Sequence, residues 1–148
     1  MLYWNGTRVA SSTDSFNWTF SGSGLPGTAS RLMSTATALF AWGVYGNLYR
    51  STDGGVTWTT ITQVSAVLGV AYGDPGANAF IACGATLVIG GGGGKLLTSW
   101  DDGVNWTERT ALSQGNYYLV GNDDIMAFGW NGTTLVAVGK YGYTATST

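Results

Sequence analysis

The chain contains no histidine, and this absence excludes more chemistry than any other feature of it. Ser-His-Asp and Cys-His catalysis are ruled out, and so is the commonest metal ligand. A metal site would have to be all-oxygen. The two acidic pairs, Asp101-Asp102 and Asp123-Asp124, lack the spacing of a calcium loop and read as solvated turn residues. No metal and no cofactor is expected. The single cysteine, Cys83, has no partner for an internal disulfide and sits in a strand-like run, as a buried structural thiol does. Charged residues are only 9% of the chain and the net charge is −2, which suits a structure with much buried or packed surface. The six basic residues, Arg8, Arg31, Arg50, Lys95, Arg109 and Lys140, are scattered and form no stripe, which argues against nucleic acid as a partner. No apolar run is long enough to span a bilayer, and Met1 is not followed by a secretory signal. Synthesis in the cytoplasm without membrane insertion is the expectation. No stretch carries a sustained helical period with caps, so no helix is predicted.

What the chain does have is 24 glycines and an aromatic content of 14% in 148 residues. That combination suits a single, turn-rich β domain and not a disordered segment. One motif occurs twice. Ser51-Thr52-Asp53-Gly54-Gly55-Val56-Thr57-Trp58 and Ser99-Trp100-Asp101-Asp102-Gly103-Val104-Asn105-Trp106 both read S-x-D-x-G-x-x-W, at a spacing of 48 residues. Strand-like runs flank each copy, so each is a hairpin turn. The aspartate accepts bonds from backbone N–H groups a few residues on. The glycine permits a positive φ. The tryptophan inserts a large ring between neighbouring sheets and keeps an N–H to donate. Ser12-Thr13-Asp14-Ser15-Phe16-Asn17-Trp18 is a damaged copy, one residue short and without the glycine. Tyr143 to Thr148 reads as the strand before a further copy.

The segments before each motif also align. Ala79 to Gly90 matches Ile125 to Gly139, and Ser34 to Gly43 is a weaker equivalent. Each is a strand, a turn and a second strand. The repeat therefore reads strand A, strand B, strand C, motif, strand D. Gly90 to Gly94 before Lys95 is not a phosphate loop, because Ile89 stands where a glycine is needed and Leu96 where Ser or Thr is needed. Its register makes it the B–C turn.

The repeated motif resembles the Asp-box, or BNR repeat, of sialidases and related β-propellers. The fold this implies is all-β, a β-propeller of four-stranded antiparallel blades with Asp-box hairpins, about three blades per chain. The whole of 1–148 is then one propeller domain. Its parts are a partial blade (strands C and D) at 1–28, blades at 29–63 and 64–111, and a partial blade (strands A to C) at 112–148. In the family the Asp-box is structural and lies on the face away from the active site. Ser51, Asp53, Gly55, Trp58, Ser99, Asp101, Gly103, Trp106, Asp14 and Trp18 are accordingly assigned structural roles. Closed propellers take about four to eight blades, and three would leave sheet edges open. A homodimer with a shared six-bladed ring is the simplest closure. A four-bladed single-chain ring, or a ring shared with other subunits, remains open.

The same resemblance raises glycoside hydrolysis. The family uses an arginine triad, a Tyr–Glu nucleophile pair and an acidic general acid, with an Arg-Ile-Pro motif near its N-terminus. Here Arg31 is followed by Leu32-Met33, and the only glutamate, Glu108, lies just past an Asp-box. Nothing in the spacing places two carboxylates across a substrate, so no catalytic residue is assigned. Binding is better served. The D–A connections are long, lie opposite the Asp-boxes, and hold Tyr72, Asp74, Asn78, Tyr117, Tyr118, Asn122 and Asp123. These residue types pack on sugar rings and bond hydroxyls, and they also make protein contacts. Tyr117 and Tyr118 could equally plug the ring or an interface. The four Asn-x-Thr triplets, at Asn5, Asn17, Asn105 and Asn131, read as turn chemistry and not as glycosylation sites. Short Asp-box chains rich in Gly, Thr and Trp resemble propeller proteins of bacteriophage tails and capsids. The expectation is a non-catalytic recognition or structural module, a virion-associated adhesion or decoration protein binding glycan or a partner coat protein. A sialidase-like glycosidase and an assembly factor similar to the propeller that helps build photosystem II are the alternatives.

Overall fold

The computed structural model describes residues 9–21, 24–43, 46–68, 77–109, 124–142 and 144–147. These residues are mostly strand, and they form four antiparallel sheets in chain order. The first pairs β1 (Val9–Ser11) with β2 (Thr19–Ser21). The second is a meander of β3 (Arg31–Ser34), β4 (Leu39–Trp42), β5 (Leu48–Ser51) and β6 (Thr59–Thr60). The third repeats it with β7 (Ala77–Cys83), β8 (Thr86–Gly91), β9 (Leu96–Ser99) and β10 (Thr107–Arg109). The fourth has β11 (Ile125–Trp130), β12 (Leu135–Gly139) and β13 (Thr144–Ser147). The third and fourth sheets share a register irregularity at the start of their first strand, at Ala77/Ala79 and at Ile125/Ala127. Both carry a 3-10 turn after their second strand, at Gly92–Gly94 and Lys140–Gly142. Of the glycine run before Lys95, expected to be a turn throughout, Gly90 and Gly91 end β8 and only Gly92–Gly94 form the turn, with Gly93 and Gly94 at φ 63° and 68°.

Side chains alternate across a strand, so a sheet held between two others must be apolar on both faces. The chain obeys this. In β4, Phe40 and Trp42 turn toward the third sheet while Ala41 between them turns toward the first. In β8, Leu87 and Ile89 join the core with the second sheet, and Val88 joins the core with the fourth. Three apolar layers result. The layer between the second and third sheets is the most aromatic. Phe80 meets the rings of Phe40, Trp42 and Trp106 edge-on at centroid distances of 5.2, 5.2 and 5.7 Å. Edge-to-face geometry adds a favourable term beyond area burial. Leu48, Ile89 and Leu97 complete that layer.

The expectation of no helix is overturned by α1 (Thr62–Leu68), which follows β6 directly. Its Val64 and Leu68, with Ile61 before it, are buried in the aromatic layer. Their spacing of three and four residues puts them on one helical face. Seven residues are too few to stand out as a period in the sequence, and packing, not propensity, sustains so short a helix. Cys83, read as buried, is half-buried at the end of β7, where burial pushes its thiol pKa up.

Gly103 meets two demands at once. Its φ is +81°, and a Cβ there would lie 2.4 Å from Cε1 of Phe40. Gly54, at φ +73°, has nothing within 4 Å of such an atom. Gly54→Ala therefore tests backbone strain alone, and about 1 kcal/mol of stability should be lost. Gly103→Ala adds a collision with the wholly buried Phe40 ring, and about 3 kcal/mol should be lost. Urea unfolding of the two variants measures the difference, and equal losses would contradict the packing described.

Candidate functional site

Both full Asp-boxes close in the same way. In the β5–β6 hairpin, Ser51 Oγ donates to Asp53 Oδ1 at 2.8 Å and accepts from the Gly55 N–H at 2.9 Å. Asp53 accepts from the Thr57 N–H at 2.9 Å and from the Thr57 hydroxyl. Trp58 Nε1 donates to the Gly55 carbonyl at 3.0 Å. The β9–β10 hairpin repeats these bonds with Ser99, Asp101, Gly103, Asn105 and Trp106 at 2.6–3.0 Å. The short copy keeps the scheme by moving it one residue. Asp14 accepts from the N–H groups of Phe16 and Asn17, two and three residues on, and Ser15 takes the left-handed position at φ 66°. Trp106 is buried and Trp58 half-buried, whereas Trp18 is 42% exposed.

These bonds fix the chemistry of the carboxylates. Donation from the Thr57 hydroxyl and N–H, and then from Ser51, lowers the Asp53 pKa to about 2. Donation from the Asn105 N–H and side-chain amide does the same for Asp101, also to about 2. Asp14 is lowered further, chiefly by Asn17. A general acid needs its pKa raised, and these are shifted the other way.

Two aspartates read as solvated turn residues are instead tied in. Asp102 is a latch between sheets. Its carboxylate takes the hydroxyls of Thr35 (2.9 Å) and Thr37 (2.6 Å), in the β3–β4 turn, and the Arg50 guanidinium at 2.9 Å. Arg50 Nε also donates to the Asp102 carbonyl. Burial raises the Asp102 pKa, but the Thr37, Thr35 and Arg50 contacts outweigh it and the net shift is downward. Asp124 is buried, ion-paired with Lys140 at 2.5 Å, and accepts from the Gly93 N–H of the neighbouring sheet. No sequence signal marks Asp102 over Asp101, because the distinction lies in what the adjacent sheet presents.

Of the loop residues singled out for binding, Tyr72, Asp74, Tyr117, Tyr118, Asn122 and Asp123 lie outside the described residues. Asn78 does not lie in a loop. It is the second residue of β7, at the register irregularity, on the end of the sheet opposite the Asp-boxes. It is buried, its carbonyl accepts from the Arg31 guanidinium of the second sheet, and its Nδ2 has no hydrogen-bond partner among the described residues. Arg31 was not among the expected binding residues. On the same end, Lys95 Nζ donates to the Val67 carbonyl at 3.3 Å. A cleft of about 300 Å³ opens between the third and fourth sheets. Its walls are mainly apolar, with Val88, Leu96, Phe128 and Ala137 beside Arg109. The Arg109 guanidinium is held by Thr98 Oγ1 and lies 4.4 Å from the Trp100 ring centre. Glu108 is exposed on β10. Among the described residues no three Cys, Asp or Glu side chains are grouped to hold a metal ion, and no helix is long and apolar enough to cross a membrane.

The pKa shifts set a pH window. A carboxyl held near 2 in the fold against 3.8 unperturbed contributes stability that is complete above 3.8. That contribution is lost as pH falls through about 2. The thermal midpoint of the native chain should drop over this interval. A chain with Asp53→Asn and Asp101→Asn should start lower at neutral pH and drop less. Thermal unfolding followed by circular dichroism between neutral pH and pH 2 checks this, and parallel curves would contradict it.

No protein-family model matches this chain, and no curated protein matches it. Solved structures do. The crystal structure of the computationally designed Ika4 protein superposes with a TM-score of 0.54 at 11% identity, over 99% of this chain and 88% of that one. The computationally designed Ika8 protein superposes with a TM-score of 0.56 at 10% identity, over 98% of this chain and 44% of that one. This chain thus spans under half the length of Ika8. At such identities the likeness is one of fold alone.

Proposed function

We propose that this chain is a non-catalytic, sialidase-like β-propeller module for recognition or structural decoration, in which the four sheets are blades. Its binding end is the one opposite the Asp-boxes, and its ligand is a glycan or a coat protein. A single observation carries the reading. Asn78 is buried there, its side-chain amide has no hydrogen-bond partner among the described residues, and its carbonyl accepts from the Arg31 guanidinium. A buried donor without a partner costs about 1–3 kcal/mol, which a ligand hydroxyl or peptide carbonyl can recover. The carboxylates point away from hydrolysis. Each of the five described aspartates is committed to a turn, a latch or an ion pair. The low charge and the glycine, threonine and tryptophan content support a place in a virus particle, as an adhesion or decoration subunit.

A glycan array, with a sialoside hydrolysis assay on the same sample, tests the proposal. Binding without turnover is expected, and Asn78→Leu should weaken it about tenfold, the loss of one hydrogen bond to a buried donor. Turnover of a sialoside would replace this reading with a glycosidase. Silence on the array, with retention of a coat protein, would select the decoration role.

A further inference from the structure

The cleft between the third and fourth sheets corresponds to the place that Trp106 fills between the second and third. The strand pairings show this residue by residue. Leu97 pairs with Ile89 in the third sheet, and 48 residues on Ala145 pairs with Ala137 in the fourth. Leu87 pairs with Ser99 as Leu135 pairs with Ser147. On the first strands, Phe80 lies opposite Ile89 as Phe128 lies opposite Ala137. Phe80, Leu87, Ile89 and Leu97 form the aromatic layer with Trp106. Their counterparts Phe128, Leu135, Ala137 and Ala145 make one wall of the cleft. Two exchanges in that wall open the space, because Ala137 stands where the repeat has Ile89 and Ala145 where it has Leu97. Close-packed layers leave little free volume. Here about 300 Å³ stays open, at the small end of the range for ligand sites.

The opposite wall supplies a second, independent observation. Val88 and Leu96 line it, as Phe40 and Leu48 line the aromatic layer. The Ile61 N–H bonds to the Leu48 carbonyl, and Arg109 pairs in the same way with Leu96. Ile61 is buried in the aromatic layer, so a cation stands on this cleft where the repeat buries an isoleucine. The guanidinium is held in place. Its Nε donates to Thr98 Oγ1 at 2.8 Å, and it lies 4.4 Å from the Trp100 ring centre. Among the described residues Arg109 pairs with no carboxylate, and the two ion pairs there are Arg50–Asp102 and Lys140–Asp124.

We propose that this cleft binds a small aromatic carboxylate, a flat acid of one or two rings. The ring lies against Phe128, Leu135 and Ala145, as the Trp106 indole lies in the layer of Phe80, Leu87 and Leu97. The acid group meets Arg109, whose planar fork matches a carboxylate. Thr98 Oγ1 accepts from Arg109 and keeps its own proton to donate to the same group. Because Thr98 and Trp100 already fix the guanidinium, little ordering is left to oppose binding. The site uses neither Asn78 nor Arg31. It rests on the pairing of the strands and goes beyond the functional reading above.

Isothermal titration calorimetry with 2-naphthoate and its neutral amide, 2-naphthamide, tests it. The native chain should bind the acid about tenfold more tightly than the amide, the effect of one charged hydrogen bond. Arg109→Gln should remove that preference and leave binding of the amide unchanged. Ala145→Leu places in the fourth sheet the residue that the third carries at Leu97, and it should abolish binding of both compounds with unchanged circular dichroism. A measurement on the native chain does not depend on those variants. Nuclear Overhauser effects should run from the naphthoate ring to the methyl groups of Val88, Leu135 and Ala145, and these decide the matter if Ala145→Leu loses the native spectrum. No binding, equal affinity for acid and amide, binding that survives in a folded Ala145→Leu, or ring contacts elsewhere would each overturn the proposal. Failure here leaves the glycan or coat-protein reading standing, and a silent glycan array leaves this site standing.

Discussion

The contact between Gly103 and Phe40 is the constraint on which the rest of this structure depends. Phe40 is wholly buried, and it lies where a Cβ on Gly103 would have to be. The hairpin of the third sheet can close over the second only because its Asp-box carries glycine at that point. The same loop then delivers Trp106 into the aromatic layer and Asp102 onto Thr35, Thr37 and Arg50. Apolar packing and a charged latch therefore arrive together, from residues four positions apart. Interior packing tolerates little change of volume, so this spacing fixes how one sheet sits on the next.

The motif aspartates, Asp53 and Asp101, bond within their own hairpins and not between sheets. Their side chains imitate a turn of backbone, collecting the N–H groups that a tight hairpin leaves unpaired. Asp14 shows how far the scheme bends. With one residue fewer, it bonds two and three positions on instead of three and four, and serine supplies the left-handed step. The turn closes with one residue fewer, and the tryptophan that follows, Trp18, is exposed where Trp106 is buried.

Much of the fold was legible because these devices are local. Asp53, Gly55 and Trp58 recur as Asp101, Gly103 and Trp106, and the turns between strands fall where glycine, asparagine and threonine cluster. Helix α1 was not legible. Its signal is three apolar residues, Ile61, Val64 and Leu68, whose burial depends on a neighbouring sheet. The roles of Asp102 and Asp124 were hidden for the same reason. Each is the second residue of an acidic pair, and only the adjacent sheet or turn gives it a partner. At the end of the sheets opposite these hairpins, residue type and a place in a connection mark Asn78 in the sequence. Its strand position and the approach of Arg31 follow from a register irregularity and a contact 47 residues apart, which spacing in the sequence does not reveal.

A fold whose sheets are joined by their hairpins should open as one unit. The most direct measurement is native-state hydrogen exchange at the Gly55 and Gly103 amides, which donate to Ser51 and Ser99 inside the boxes. Protection equal to that of the β5 and β8 amides is the expected result, because opening the box would then require parting the sheets. Exchange at the rate of an exposed loop would contradict the account and make the Asp-boxes ornaments on sheets held together by other means.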